Sequence, residues 1–203
     1  MDGTLLDSMD AWEDVGADFL RQAGVCPPPD LNDRVRTMSF RESSDYFVRT
    51  FHLPVSAEDI MAYIYGAVAE KYRHTLLLKP YAAQYIGYRK KQGVRLCVAT
   101  ATNHELACAA LERCGILQEF SFVLTCDEVG VGKDDPAIFF EAAKRLGIEV
   151  PQACVYEDSL HCIQTAKAAG FTVVGVYDRA SAPYQRQIQV LSDRYITSFS
   201  QLL

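Results

Sequence analysis

Met1-Asp2-Gly3-Thr4-Leu5-Leu6-Asp7-Ser8 opens the chain, and the reading of every later segment follows from it. A carboxylate ahead of a glycine belongs on a tight turn, because glycine alone enters the left-handed backbone region without a Cβ penalty. The two leucines are built to bury. Asp7-Ser8 then places a hydroxyl where a helix begins.

Outward from Ser8, the residues Met9, Trp12, Val15, Gly16, Phe19 and Leu20 recur at helical spacing, with Ser8 as N-cap and Gly24 as stop. Cys26-Pro27-Pro28-Pro29 breaks the chain. Helical character resumes over 30–50 and again over 57–74, where Ser56 caps ahead of Glu58 and Asp59. Nothing in 9–78 reads as a strand. After Lys79-Pro80 the texture changes to apolar runs separated by helices. The runs are 94–99, 122–124, 153–156 and 172–176; the helices are 103–114, 136–146 and one ending at Ala169. Strands that are apolar throughout and joined by helices imply a parallel sheet covered on both faces. In such sheets reactive groups collect beyond the carboxyl ends of the strands.

Three polar clusters sit at such ends. Ala99-Thr100-Ala101-Thr102-Asn103 offers a hydroxyl and backbone N–H groups at a helix start, which suits an anion, although such a hydroxyl is most often only a cap. Gly130-Val131-Gly132-Lys133-Asp134-Asp135-Pro136 holds an ammonium near a strand end between a flexible glycine pair and a helix-opening proline. Tyr156-Glu157-Asp158-Ser159 puts two carboxylates side by side, where they must be hydrated, cap the next helix or hold a cation.

Composition narrows the class. With 203 residues, 49% hydrophobic, the chain can bury a sizeable core. A net charge of -6 without a basic run argues against nucleic acid, and no apolar stretch reaches membrane-span length, so no membrane partner is expected. Seven cysteines without a C-x-x-C pair read as reduced thiols, several of them in the core, which fits a cytoplasmic location. His52, His74, His104 and His161 show no metal-ligand spacing.

In order, the opening octapeptide, the Thr100 junction, the Lys133 loop and Glu157-Asp158-Ser159 resemble the four motifs of the haloacid dehalogenase (HAD) superfamily. The run E-D-S followed by Ala166-Lys167-Ala168-Ala169-Gly170 is similar to the subgroup that includes β-phosphoglucomutase and phosphoglycolate phosphatase. The Lys133 loop departs from the family form at Asp134, where proline is usual, and at Ala137, where an acid is common. The resemblance implies an α/β fold, a Rossmann-like parallel sheet core formed by 1–8 and 79–203, with an inserted α-helical cap domain over 9–78. It implies a Mg²⁺-dependent phosphatase that hydrolyses a small phosphorylated metabolite through an aspartyl-phosphate. Asp2 would be the general acid and base. Thr100, Ala101 and Lys133 would bind the phosphoryl group, while Asp158, Glu157 and Asp2 would hold the metal. Arg36, Ser39, Arg41 and Glu42 are the substrate-selecting candidates on the cap.

In the family pattern the nucleophilic Asp precedes Asp2 by two positions and closes the first, central strand, so the sequence begins just after it. A central strand of about five residues is worth about 1 kcal/mol per ladder bond and about 1.5–3 kcal/mol per buried side chain, against about 5–15 kcal/mol for a whole domain. Its place in the sheet therefore needs an occupant. A hexose-phosphate mutase and a non-catalytic protein binding phosphorylated ligands remain alternatives at this point. The subgroup's mutases usually carry a histidine where this chain has Trp12.

Overall fold

A computed structural model describes residues 1–12, 14–35 and 38–203. The first turn is held by Met1 O, which accepts from the amides of Leu5 (2.7 Å) and Leu6 (3.1 Å). Gly3 takes φ +65° there, as its place after the carboxylate requires. Leu6 is fully buried, and the chain on either side is tied to 77–79 by Asp7 N to Leu77 O (2.9 Å) and Lys79 N to Leu5 O (2.8 Å).

Between these strands of the tie lie α1 (Met9–Trp12), α2 (Val15–Gln22), α3 (Leu31–Val35), α4 (Phe40–Phe51) and α5 (Ala57–His74). The single helix expected from Ser8 to Gly24 is instead two helical segments. The Ser8 hydroxyl, expected to cap, turns back and donates to Asp2 Oδ1 at 2.6 Å. By contrast α4 and α5 start on capping boxes, Ser39 with Glu42 and Ser56 with Asp59, each satisfying two otherwise orphaned amides.

Then come α6 (Ala82–Lys91), β1 (Val98–Thr100), α7 (His104–Arg113), β2 (Val123–Thr125), α8 (Cys126–Val129), α9 (Ala137–Leu146), β3 (Cys154–Glu157), α10 (Leu160–Ala168), β4 (Thr172–Val176), α11 (Gln185–Leu191) and β5 (Arg194–Ile196). The pairing among β1 to β5 is parallel, as the sequence predicts, but it forms two sheets, β1-β2 and β3-β4-β5; the bridge of Leu6 to Leu78 in the tie is antiparallel. Among the described residues no segment pairs with both. A cleft of about 240 Å³ runs between them, flanked by Val98, Ala99, Val155 and Tyr156, with Met1 and Thr4 among its lining. The occupant expected for the centre of the sheet is thus not supplied by another part of the described chain. Within the run expected over 94–99 the strand itself begins at Val98, although Leu96 O already accepts from the Ser121 amide at 2.7 Å, and β5 has no counterpart in the sequence reading. Cys154, although it lies within the apolar run 153–156, is exposed, whereas Cys126 and Cys162 are buried.

Apolar burial divides along the same lines. Leu20, Leu31, Phe47, Leu53, Ile60 and Ile64 form a cluster within α2–α5. Further along α5, Val68, Ala69 and Tyr72 belong to another cluster with Leu6, Val98, Leu106 and Leu111. One uninterrupted helix of 18 residues, about 27 Å long at 1.5 Å per residue, therefore joins the helical layer to the sheet. No helix among the described residues is long and apolar enough to cross a membrane.

Ile60 has no exposure. Its replacement by Ala should lower stability by about 2–5 kcal/mol in chemical denaturation, the usual cost of a cavity at a fully packed site. A loss below about 1 kcal/mol would show that the helical cluster is loosely packed.

Candidate active site

The residues singled out at the strand ends meet around one cavity of about 410 Å³, whose wall includes Asp2, Thr100, Ala101, Lys133, Glu157 and Asp158. Thr100 closes β1 and Glu157 closes β3, so a strand from each sheet delivers its polar carboxyl end to the same cavity. Lys133 arrives from the loop after β2 and α8.

Asp2 is held by three hydroxyls. Ser8 Oγ and Tyr72 Oη donate to Oδ1 at 2.6 and 2.5 Å, and Thr102 Oγ1 donates to Oδ2 at 2.7 Å. Tyr72 in turn accepts from Trp12 Nε1 at 2.6 Å. Burial first, and then the Asp2 carboxylate, keeps the Tyr72 phenol well above its ordinary pKa, so it stays a donor. Thr100 Oγ1 accepts from the Thr102 amide at 3.1 Å, which folds this junction back on itself beside Asp2.

The second carboxylate group is organised by charge. Lys133 Nζ donates to Glu157 Oε2 at 2.9 Å, with 11% and 6% of the two side chains exposed. Glu157 Oε1 accepts from the amides of Asp158 (3.0 Å) and Ser159 (3.2 Å). Burial, the largest influence, opposes ionisation of Glu157, but the surrounding positive charge, Lys133 foremost, and the hydrogen bonds from Lys133 and the Ser159 amide together hold the carboxyl below its usual range. Asp158 goes the other way. Its side chain is buried, Thr4 Oγ1 donates to it at 2.7 Å, and burial followed by the Glu157 charge raises its pKa. Gly3 makes room for it: a Cβ there would lie 2.3 Å from Asp158 Oδ2. Asp178, just past β4, adds a further negative charge nearby and is paired with Lys79 at 2.9 Å.

The cap candidates separate. Ser39 borders the cavity as the N-cap of α4. Glu42 is its capping-box partner, and Arg41 is exposed and paired with Glu58 (2.7 Å) and Asp45 (3.4 Å); neither borders the cavity. Arg36 lies outside the described residues. Among the described residues no three His, Cys, Asp or Glu side chains gather as a metal cluster. Thr4, Ser8, Tyr72, Thr102 and Asp178 were not anticipated as site residues. Thr4 and Ser8 stand in the opening motif and Thr102 two residues after Thr100, but nothing in the periodicity of α5 distinguishes Tyr72 from its core neighbours.

A family model described as a haloacid dehalogenase-like hydrolase matches residues 1–170. The chain belongs to the haloacid dehalogenase-like hydrolases. It is 24% identical over 170 residues to a phosphorylated carbohydrates phosphatase of Thermotoga maritima, covering 84% of this chain and 79% of the relative. It is 29% identical over 186 residues to a phosphoglycolate phosphatase of Neisseria meningitidis, covering 87% and 77%. Among solved structures, CbbY from Rhodobacter sphaeroides in complex with xylulose-(1,5)bisphosphate superposes with a TM-score of 0.82 at 23% identity, over 100% of this chain and 93% of that one. This likeness concerns the fold.

Lys133→Met should destabilise the HAD-like chain by about 3–5 kcal/mol, because it strands Glu157 as an unpaired buried charge. Lys133→Met combined with Glu157→Gln should recover part of that loss in urea denaturation. No recovery would mean that the lysine acts on stability by another route.

Proposed function

We propose that this HAD-like hydrolase is a phosphatase acting on a small phosphate monoester, with residues 9–78 serving as a cap over the site. The observation that carries this reading is the convergence of Asp2, Thr100, Lys133 and Asp158 on one cavity at the carboxyl ends of parallel strands. Phosphoryl transfer needs charge on the phosphoryl oxygens neutralised, the group held in line, and the leaving oxygen protonated. Lys133 supplies a buried ammonium for the first task. Thr100 and the backbone of Ala101 supply donors for the second. Asp2, oriented by Ser8, Tyr72 and Thr102, is positioned for the third, as general acid and then as base toward water. In the family pattern the attacking carboxylate precedes Asp2 by two positions and forms an aspartyl-phosphate. The relatives' names support the same reaction class.

The residues fit Mg²⁺. Asp158 is a buried carboxylate whose ionisation is disfavoured by its surroundings, and a hard divalent cation is what would relieve it. Glu157 is already committed to Lys133 and two backbone amides, so Asp158 with the Asp2 backbone carbonyl is the donor set we assign, and Glu157 shapes it. When bound, Mg²⁺ would neutralise phosphoryl charge and fix its orientation.

The full-length natural protein should release inorganic phosphate from at least one member of a broad monoester panel, lose that activity to a chelator and regain it with Mg²⁺. Asp2→Asn should lower kcat by about 10²–10⁴-fold, the range for loss of a general acid. Tyr72→Phe should lower kcat with less change in KM, since it leaves Asp2 in place with one donor fewer. Silence across the panel, with Mg²⁺ present, would overturn the reading.

A further inference from the structure

Two buried side-chain oxygens lack a hydrogen-bond partner among the described residues, Tyr65 Oη and Ser192 Oγ. Of the two, only Tyr65 lines the cavity that holds Asp2. The polar groups that could have met it are engaged. Glu105 acts on the phenol by its charge, but its Oε1 is bonded by Arg73 Nη2 at 2.7 Å. Asn103, in the same wall, has its Oδ1 taken by the Glu105 amide at 2.8 Å. Ile64 and Leu106, also in that wall, offer no side-chain acceptor. Burial first, and then Glu105, raise the Tyr65 phenol above its ordinary pKa, so at neutral pH it is a donor.

Helix α5 sets where this hydroxyl lies relative to the reacting end. Tyr65 precedes Tyr72 on it by one heptad, and a heptad falls about 20° short of two full turns. Both side chains therefore leave nearly the same side of the helix, about 10 Å apart along its axis. Tyr72 Oη donates to Asp2 Oδ1 at 2.5 Å, so Tyr65 stands two turns farther out, beside the space that a leaving alcohol must fill. A buried hydroxyl without a partner is costly, and a ligand in the cavity can bring the missing acceptor. Resting on the phosphatase reading above, we propose that Tyr65 selects the substrate by donating to a hydroxyl oxygen of the leaving alcohol, one carried well away from the ester oxygen. The substrates are then monoesters of diols or polyols in preference to those of plain alkanols.

Three measurements keep this inference separate from the reading it rests on. The first uses the full-length protein with Mg²⁺ and compares 4-hydroxybutyl phosphate with butyl phosphate, and 5-hydroxypentyl phosphate with pentyl phosphate. A hydroxyl that far from the ester barely alters the basicity of the leaving oxygen. In at least one pair kcat/KM should favour the hydroxyl ester by about tenfold, the scale of one neutral hydrogen bond. Tyr65→Phe should bring that ratio to within about twofold. Equal turnover within both pairs, or a preference that survives Tyr65→Phe, overturns the assignment and leaves phosphatase activity intact.

The second is calorimetric and needs no turnover. 5-Hydroxypentylphosphonate and 6-hydroxyhexylphosphonate replace the ester oxygen by a methylene and keep the reach of the two esters. At least one should bind about fivefold or more tightly than its parent alkylphosphonate, and Tyr65→Phe should remove the difference. The third reads the sign of the effect on folding. Because the hydroxyl has no partner in the free protein, Tyr65→Phe should leave the urea midpoint equal or higher. A lower midpoint would show the hydroxyl already bonded inside the protein. That result, or phosphonates that bind alike or not at all, would overturn the inference even if every ester proved inert.

Discussion

Lys133 Nζ stands 2.9 Å from Glu157 Oε2, and little of either side chain reaches water. Much of the site follows from that pair. Removing two charges from water costs several kcal/mol per ion, which the interior returns only if every remaining lone pair is also met. Glu157 meets the condition through the amides of Asp158 and Ser159, which fixes the turn leaving β3 and so fixes where Asp158 points. With the lysine bonded to Glu157, the Asp158 carboxylate is left with the Thr4 hydroxyl as its hydrogen-bond donor, buried beside a second negative charge. An electrostatic need is built into the fold beside a cavity, and the candidate chemistry grows from it.

The helical layer takes part through α5. Ile60 and Ile64 anchor one end among helices, while Val68 and Tyr72 anchor the other against Leu106 and Leu111. Tyr72 is both a buried wedge in that interface and a donor to Asp2, so packing and acid placement rest on one side chain. The tie between Leu5–Asp7 and 77–79 closes the other side of the junction, where the chain leaves the sheet region and returns to it.

What could be read in advance depended on how local the signal was. β4 was legible to the residue because Thr172-Val173-Val174-Gly175-Val176 is an uninterrupted strand-forming run. β1 is shorter than the expected run: Val94, Leu96 and Cys97 share its apolar character but precede the strand, and hydrophobicity alone cannot mark where pairing begins. β5, three residues with Arg194 and Tyr195, carries too little pattern to announce itself. Ser8 looked like a cap because its helix-side neighbours suit one, yet the nearer carboxylate of Asp2 claimed the hydroxyl. Glu42 shows the reverse case. The spacing Ser39-x-x-Glu42 already described a capping box, and that local bond is the one the chain makes. Thr100, Lys133 and Asp158 were visible as polar residues at strand ends, but the hydroxyls around Asp2 come from positions 8, 72 and 102, and no local pattern joins those.

The chain holds one tryptophan, and it borders the cavity with its indole N–H bound to Tyr72. Its emission therefore comes from a single known address. Whatever fills the space beside it, or pulls the phenol away, changes the polarity and quenching that the ring experiences. The molecule carries its own lamp at the seam between helices and sheet, and changes in its brightness and colour can be followed without attaching any dye.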